Sequence, residues 1–217
     1  MELLPLATAL FLGFIHALEA DHLAAVSAFA VQQPQLRAAA RFGLKWAAGH
    51  GLAVIVAGTA LVLLQLHLPD SASHYAERVV GVTLLALGLW TIRGATQLHA
   101  HEHRHADGTV HNHVHGHHFG PGHEHGHAAT AVGALHGLAG AAPAVALVPL
   151  VAGGEVWAAP LGLVLFAIGT AAAMLLYSLI AGWAAGRAAG RSVVLARSVA
   201  VVTGTMTVAI GCVWLFG

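Results

Sequence analysis

Six apolar stretches, each long enough to cross a lipid bilayer, constrain this chain more than any other feature. They run at about residues 3–31, 42–66, 79–98, 128–151, 157–184 and 193–216. A spanning helix needs about 20 apolar residues. Only 8% of the 217 residues are charged, where a soluble domain carries about 25%. The expected fold is therefore all-α: a polytopic membrane protein with six transmembrane helices. The formal net charge is zero, which leaves no basic surface for nucleic acid. Cys212 is the single cysteine, which excludes an intrachain disulfide or a cysteine-based metal cage. No basic residue precedes the first apolar run, so that run is expected to be a mature helix rather than a cleaved signal peptide.

Orientation follows from the basic residues. Arg37, Arg41 and Lys45 flank the first connection, Arg93 and Arg104 the third, and Arg187, Arg191 and Arg197 the fifth. Only Arg78 lies by the second, so eight of nine fall on one side. Positive residues collect on the cytoplasmic side. This places both termini outside a cytoplasmic (inner) membrane that the chain crosses several times.

The spans repeat. Leu12-Gly-Phe-Ile-His16-Ala-Leu18 parallels Val132-Gly-Ala-Leu-His136-Gly-Leu138, 120 residues on. At the same offset Trp46-Ala-Ala-Gly49-His50 meets Phe166-Ala-Ile-Gly169-Thr170. Gly81, Gly88 and Gly94 match Gly204, Gly211 and Gly217 at an offset of 123. Three spans per unit invert the second copy in the membrane, a transporter architecture with its site at the repeat interface. The expected division is 1–98 as the first three-helix repeat, 99–127 as a cytoplasmic loop, and 128–217 as the second repeat. Gly137, Gly140 and Pro143 are expected to break the fourth span.

His16, Glu19, Asp21 and His22 lie near the middle of the first run. A charged residue there costs about 2.5–3.5 kcal/mol on insertion scales, and such residues usually face a cavity, a partner or a substrate. Imidazole with carboxylate suits a divalent transition metal. At about 100° per residue, His16, Glu19 and His22 share a stripe of a regular helix and Asp21 does not. His16, Asp21 and His22 meet at one ion only if the helix breaks between them. His50, early in the second span, is expected to complete the shell, with His136 contributing from the second repeat. Glu19 is expected to orient a histidine nitrogen or to accept a proton. Only neutral imidazole binds metal, so loading should weaken as pH falls through about 6.5.

Twelve of the eighteen histidines crowd into the third connection: His99, His101, His103, His105, His111, His113, His115, His117, His118, His123, His125 and His127. Histidine-rich tracts bind transition metals without choosing among them. The tract has almost no apolar residues for a core, so it is expected to be disordered without metal and to act as an accessory.

The pattern His16-x-x-x-x-Asp21-His22, in the first half of a polytopic chain, resembles the signature of the nickel/cobalt transporter superfamily. In long-chain members that signature reads Arg-His-Ala-x-Asp-Ala-Asp-His. His16, Ala17, Ala20, Asp21 and His22 agree, Ile15 replaces the Arg and Glu19 the first Asp. Gly49-His50 resembles the Gly-His pair of a following helix. His136-Gly-Leu-Ala-Gly140 resembles the short, urease-associated branch. Where long members carry a later carboxylate element, this chain reads Gly169-Thr-Ala-Ala-Ala. The resemblance implies a secondary transporter of nickel or cobalt, with no permanent cofactor. It implies cytoplasmic metallochaperones of nickel enzymes as partners beside the lipid bilayer.

No nucleotide-binding Gly-x-x-x-x-Gly-Lys-Ser/Thr loop is present, so ATP is not used by this chain. Two charges moving down about 100 mV gain roughly 4.6 kcal/mol, enough for uptake. Efflux is the alternative, and the loop does not decide direction. A membrane metal sensor and a di-iron membrane enzyme are further alternatives. No apolar segment carries the His-Glu-x-x-His of a membrane metalloprotease, and a di-iron enzyme needs more histidine boxes at helix ends. The expectation is a transporter, not an enzyme.

Overall fold

The computed structural model describes residues 3–32, 35–66, 69–104, 110–115, 126–146 and 158–217. Seven helices are seen along these: α1 (Leu3–His16), α2 (Ala20–Ala30), α3 (Leu36–Leu63), α4 (Asp70–Gln97), α5 (Gly126–Ala146), α6 (Ala158–Arg191) and α7 (Val193–Phe216). Between α4 and α5 stand two strands, β1 (His99–Arg104) and β2 (Val110–His115). Apart from that hairpin the described fold is all helical. α3, α4, α6 and α7 are long and apolar enough to cross a membrane, and α1 with α2 makes a fifth candidate span if the bent pair is one.

The helices reach further than the apolar runs. α3 starts at Leu36 and α4 at Asp70, and α6 continues to Arg191, where hydrophobicity alone ends each run inside these limits. The extensions of α3 and α6 are rich in Ala and Arg, both strong helix formers, while that of α4 is the polar run 70–78.

Two expectations are corrected. α5 runs unbroken through Gly137, Gly140 and Pro143. Its glycines serve close approach instead: a Cβ on Gly137 would meet the His50 backbone. The histidine tract also carries regular structure. Histidine at every second position is strand periodicity, and β1 pairs antiparallel with β2. The Gly pair in 152–155 lies outside the described residues.

The first span breaks at Ala17–Glu19, and α1 and α2 differ in direction by 57°. The amides of Leu18 and Glu19 bond three residues back, to Ile15 and His16. Glu19 then turns extended, with ψ of 150°, as the residue that starts α2. Asp21 sits in the first turn of α2, where the positive end of the helix dipole favours an anion. Threonines grip α2 from two sides. Thr91 of α4 donates to the carbonyls of Ala28 and Leu87, and Thr207 of α7 to those of Ala24 and Thr203. Gln32, just past the end of α2, donates to the Thr91 carbonyl.

Backbone contacts at glycine join the long helices. Gly13 of α1 faces the Phe166 carbonyl, and Gly169 of α6 faces that of Leu10. Gly133 of α5 faces the Trp46 carbonyl, and Gly49 of α3 faces that of Thr130. α4 and α7 cross twice, Gly81 against the Gly211 carbonyl and Gly88 against that of Gly204. At the far end Val31, Ala95, Leu98, Ala189, Ala196 and Ala200 form one cluster. The ends of α2, α4 and α6 and the start of α7 therefore share one face of the bundle. Arg197 reaches Leu98 there, donating from Nε at 3.0 Å and Nη2 at 2.6 Å to its carbonyl.

Candidate metal site

The break in the first span lets groups one turn apart meet. His16 ends α1, and His22 lies in the first turn of α2. His50 comes from α3 and His136 from α5. His22 and His50 are 2% and 0% exposed, His136 is 1% and Asp21 4%. The His16 side chain is 10% exposed and that of Glu19 51%. The cluster is thus sealed except past Glu19.

Hydrogen bonds fix most of the imidazoles. His16 Nδ1 lies 2.9 Å from Glu19 Oε1, and His22 Nδ1 lies 2.9 Å from Asp21 Oδ1. A carboxylate only accepts, so each Nδ1 carries the hydrogen and each Nε2 keeps its lone pair. His136 Nδ1 donates to the Val132 carbonyl at 3.0 Å, which frees its Nε2 as well. The Nε2 atoms of His16 and His136 are buried without a hydrogen-bond partner. His22 Nε2 accepts a hydrogen bond from His50 Nε2 at 3.3 Å, since its own Nδ1 carries the hydrogen, and His50 Nδ1 has no partner. Unpaired buried polar atoms are costly, and four histidines hold three of them.

One nitrogen from each of His16, His22 and His50 falls within 4.8 Å of the others. A second group joins Glu19, Asp21 and His22 within the same limit. His136 borders the first, its ring 5.6 Å from that of His22. Asp21, read from the sequence as a ligand, already holds His22 Nδ1. Glu19 holds a histidine nitrogen, the first of the two roles set out for it. Thr170 stands where the repeat would put a second His50, but its hydroxyl bonds the carbonyls of Gly13 and Phe166.

Two more residues stand at the site: Trp46, read in the sequence only as part of the repeat, and Gly140, read there as part of a break in the fourth span. Trp46 stacks on His50, centroids 5.0 Å apart with 16° between planes, and meets His22 edge-on at 5.1 Å. Gly140 lies against His16 and His50. Each is four residues from a candidate ligand on its own helix, Trp46 before His50 and Gly140 after His136. A helix puts such pairs on one face, and that was the signal available.

In the tract, strand register sets His99 opposite His115, His101 opposite His113 and His103 opposite His111. His105, His117, His118, His123 and His125 lie outside the described residues, and His127 is exposed on α5. His101–His105 and His123–His127 both spell His-Glu-x-x-His. The first begins in β1 and not on a helix, where a zinc protease needs the motif.

A urease accessory protein, UreH, from Bacillus sp. (strain TB-90) is 27% identical over 190 residues, 84% of this chain and 79% of that protein. A candidate nickel/cobalt efflux system of Methanocaldococcus jannaschii is 35% identical over 107 residues, 48% of this chain and 49% of its own. The resemblance to the nickel/cobalt transporter superfamily, and to its urease-associated branch, is borne out. The chloroplast protein FOR GROWTH AND FERTILITY 2 of Arabidopsis thaliana is 31% identical over 183 residues, 81% of this chain and 46% of that one. The chain spans about half the length of these last two relatives. No family model matches the chain, and no solved structure matches it.

Proposed function

We propose that the protein is a secondary transporter that carries nickel, with cobalt as a second cargo, across the cytoplasmic membrane. The observation that carries this reading is the spacing at the broken span. Two nitrogens each about 2.1 Å from one ion, at 90–110°, lie roughly 3.0–3.4 Å apart. His22 Nε2 and His50 Nε2 are 3.3 Å apart, with an unpartnered His16 Nε2 beside them. The imidazoles of His16, His22 and His50 take the ion, and His136 joins them. Asp21 and Glu19 hold His22 and His16 by their Nδ1 atoms and supply negative charge to a divalent cation.

The packing supports two inverted three-span repeats, with α5 as the sixth span. Adding 120 to Leu10, Gly13, Trp46 and Gly49 gives 130, 133, 166 and 169, so the α1–α6 and α3–α5 contacts are one contact made twice. Adding 123 to Gly81 and Gly88 gives 204 and 211, the partners in the α4–α7 crossing. The face that holds Leu98 and Arg197 is then cytoplasmic. The histidine tract on that side concentrates ions for cytoplasmic metallochaperones.

Inward movement is favoured, because an inside-negative potential pulls a divalent cation in and needs no further energy source. Efflux is the second reading, favoured by the name of the archaeal relative. Cells with and without the protein, given radioactive nickel, test both. Higher accumulation with the protein supports uptake, lower accumulation supports efflux, and no change sinks both. Replacing His22 or His50 by Ala should return accumulation to the level without the protein, with membrane insertion checked by immunoblot.

A further inference from the structure

We propose that Gly140 sets the specificity of this site: the space left by its missing side chain admits the water that completes a nickel or cobalt shell. The inference rests on the metal-site reading above. The three glycines of α5 that lie against neighbours differ in what they face. Gly133 meets the Trp46 carbonyl and Gly137 the His50 carbonyl, both backbone, so helix packing accounts for them. Gly140 meets no backbone. A Cβ there would stand 3.2 Å from His16 Nε2, 3.5 Å from His16 Cε1 and 3.8 Å from His50 Nε2. His16 Nε2 is buried and without a partner, and Gly140 itself is buried. A Cβ at 140 would therefore press, closer than ordinary van der Waals contact, on the side of the lone pair that has nothing to bond.

Helix packing does not call for glycine at 140. Glycine inside a helix is less stable than alanine, and at 140 no backbone contact forbids the methyl group. What the methyl would fill is the flank of the imidazole set. Imidazoles alone, gathered four to an ion, give the tetrahedral set that suits zinc. Nickel and cobalt have less need of it: nickel favours square or tetragonal nitrogen and oxygen sets with further ligands. An open wall beside His16 and His50 leaves room for those ligands as water. Closing it favours the four-coordinate ion.

The test uses the full-length chain in detergent micelles, with the twelve tract histidines, His67 and His74 changed to Asn so that only His16, His22, His50 and His136 report. Co2+ alone is the spectroscopic probe, and Ni2+ and Zn2+ are measured by competition. Five- or six-coordinate cobalt, with weak visible absorption, is expected before any change at 140. Gly140→Ala should raise that absorption several-fold and lower the nickel-to-zinc affinity ratio at least tenfold. Intense four-coordinate absorption with Gly140 in place overturns the proposal, whether or not the Ala variant folds. So does a folded Gly140→Ala protein with unchanged spectrum and ratio. His50→Ala separates the two layers. If it leaves cobalt binding intact, the metal site itself is misplaced; if it abolishes binding while Gly140→Ala changes nothing, only the role of Gly140 falls.

Discussion

Before any ion arrives, Asp21 and Glu19 each hold the Nδ1 of a neighbouring histidine at 2.9 Å. Their surroundings differ: Asp21 is 4% exposed, while the Glu19 side chain is half exposed. A carboxylate behind a ligating imidazole fixes the tautomer and raises its basicity, and losing it costs about 10- to 100-fold in metal affinity. The buried carboxylate acts in the lower dielectric, so its charge counts for more. Asp21→Asn keeps an oxygen for His22 Nδ1 but loses the charge, and nickel affinity should fall toward the 100-fold end. Glu19→Gln should cost about tenfold or less. Titration calorimetry on both purified variants checks the order, and equal losses would mean that burial does not separate the roles. At this scale the sequence was largely legible. Four titratable groups in seven residues of an apolar run have few explanations in lipid. Trp46 was read only as part of the repeat and Gly140 only as a helix break, because an aromatic and a glycine on an apolar helix do not show what they face until the neighbouring helix is in place.

Among the elements, the broken span is expected on the premise that His16 and Asp21 face one point; the bend is there, though Asp21 accepts from His22 Nδ1. The unbroken α5 is not expected. Gly137 and Gly140 are consistent with a kink and with close approach, and only the neighbours of each position decide. The hairpin is the opposite case. Low hydrophobicity argued for disorder, while alternation of histidine argued for a strand, and the pairing of β1 with β2 follows the second. Its register places three histidines of one strand opposite three of the other. Residues directly opposite in an antiparallel pair are nearest neighbours across the strands, so the register sets histidine against histidine along the backbone. A variant that moves each histidine of β2 one position along, keeping the composition, should therefore bind nickel in the tract about tenfold more weakly. Equilibrium dialysis against nickel measures it. An unchanged affinity would mean that the tract binds by composition alone. Transport should persist in either case, since the proposed carriers of the ion are His22 and His50 and not the tract.

For the whole molecule, the two kinds of sidedness come from unrelated physics. The charge bias is a matter of how loops are left behind at insertion, and eight of nine basic residues flank the first, third and fifth connections read from the sequence. The shared cluster of Val31, Ala95, Leu98, Ala189 and Ala196 reflects apolar packing among helix ends. Both put the ends of α2, α4 and α6 together, and Arg197 belongs to both, as a basic residue and as the donor to Leu98. Inverted pairing of α3 with α6 and of α4 with α7 requires three spans on each side of the tract. The tract and the C-terminus of α7 must then lie on opposite sides. Reporter fusions at Gly116 and Gly217 test this directly. The Gly116 fusion should report cytoplasm and the Gly217 fusion the outside. Both fusions reporting one side would leave an even number of spans between them, and the repeated glycine contacts would lose their explanation as inverted copies. Both reporting reversed sides would keep the repeat and overturn only the charge argument.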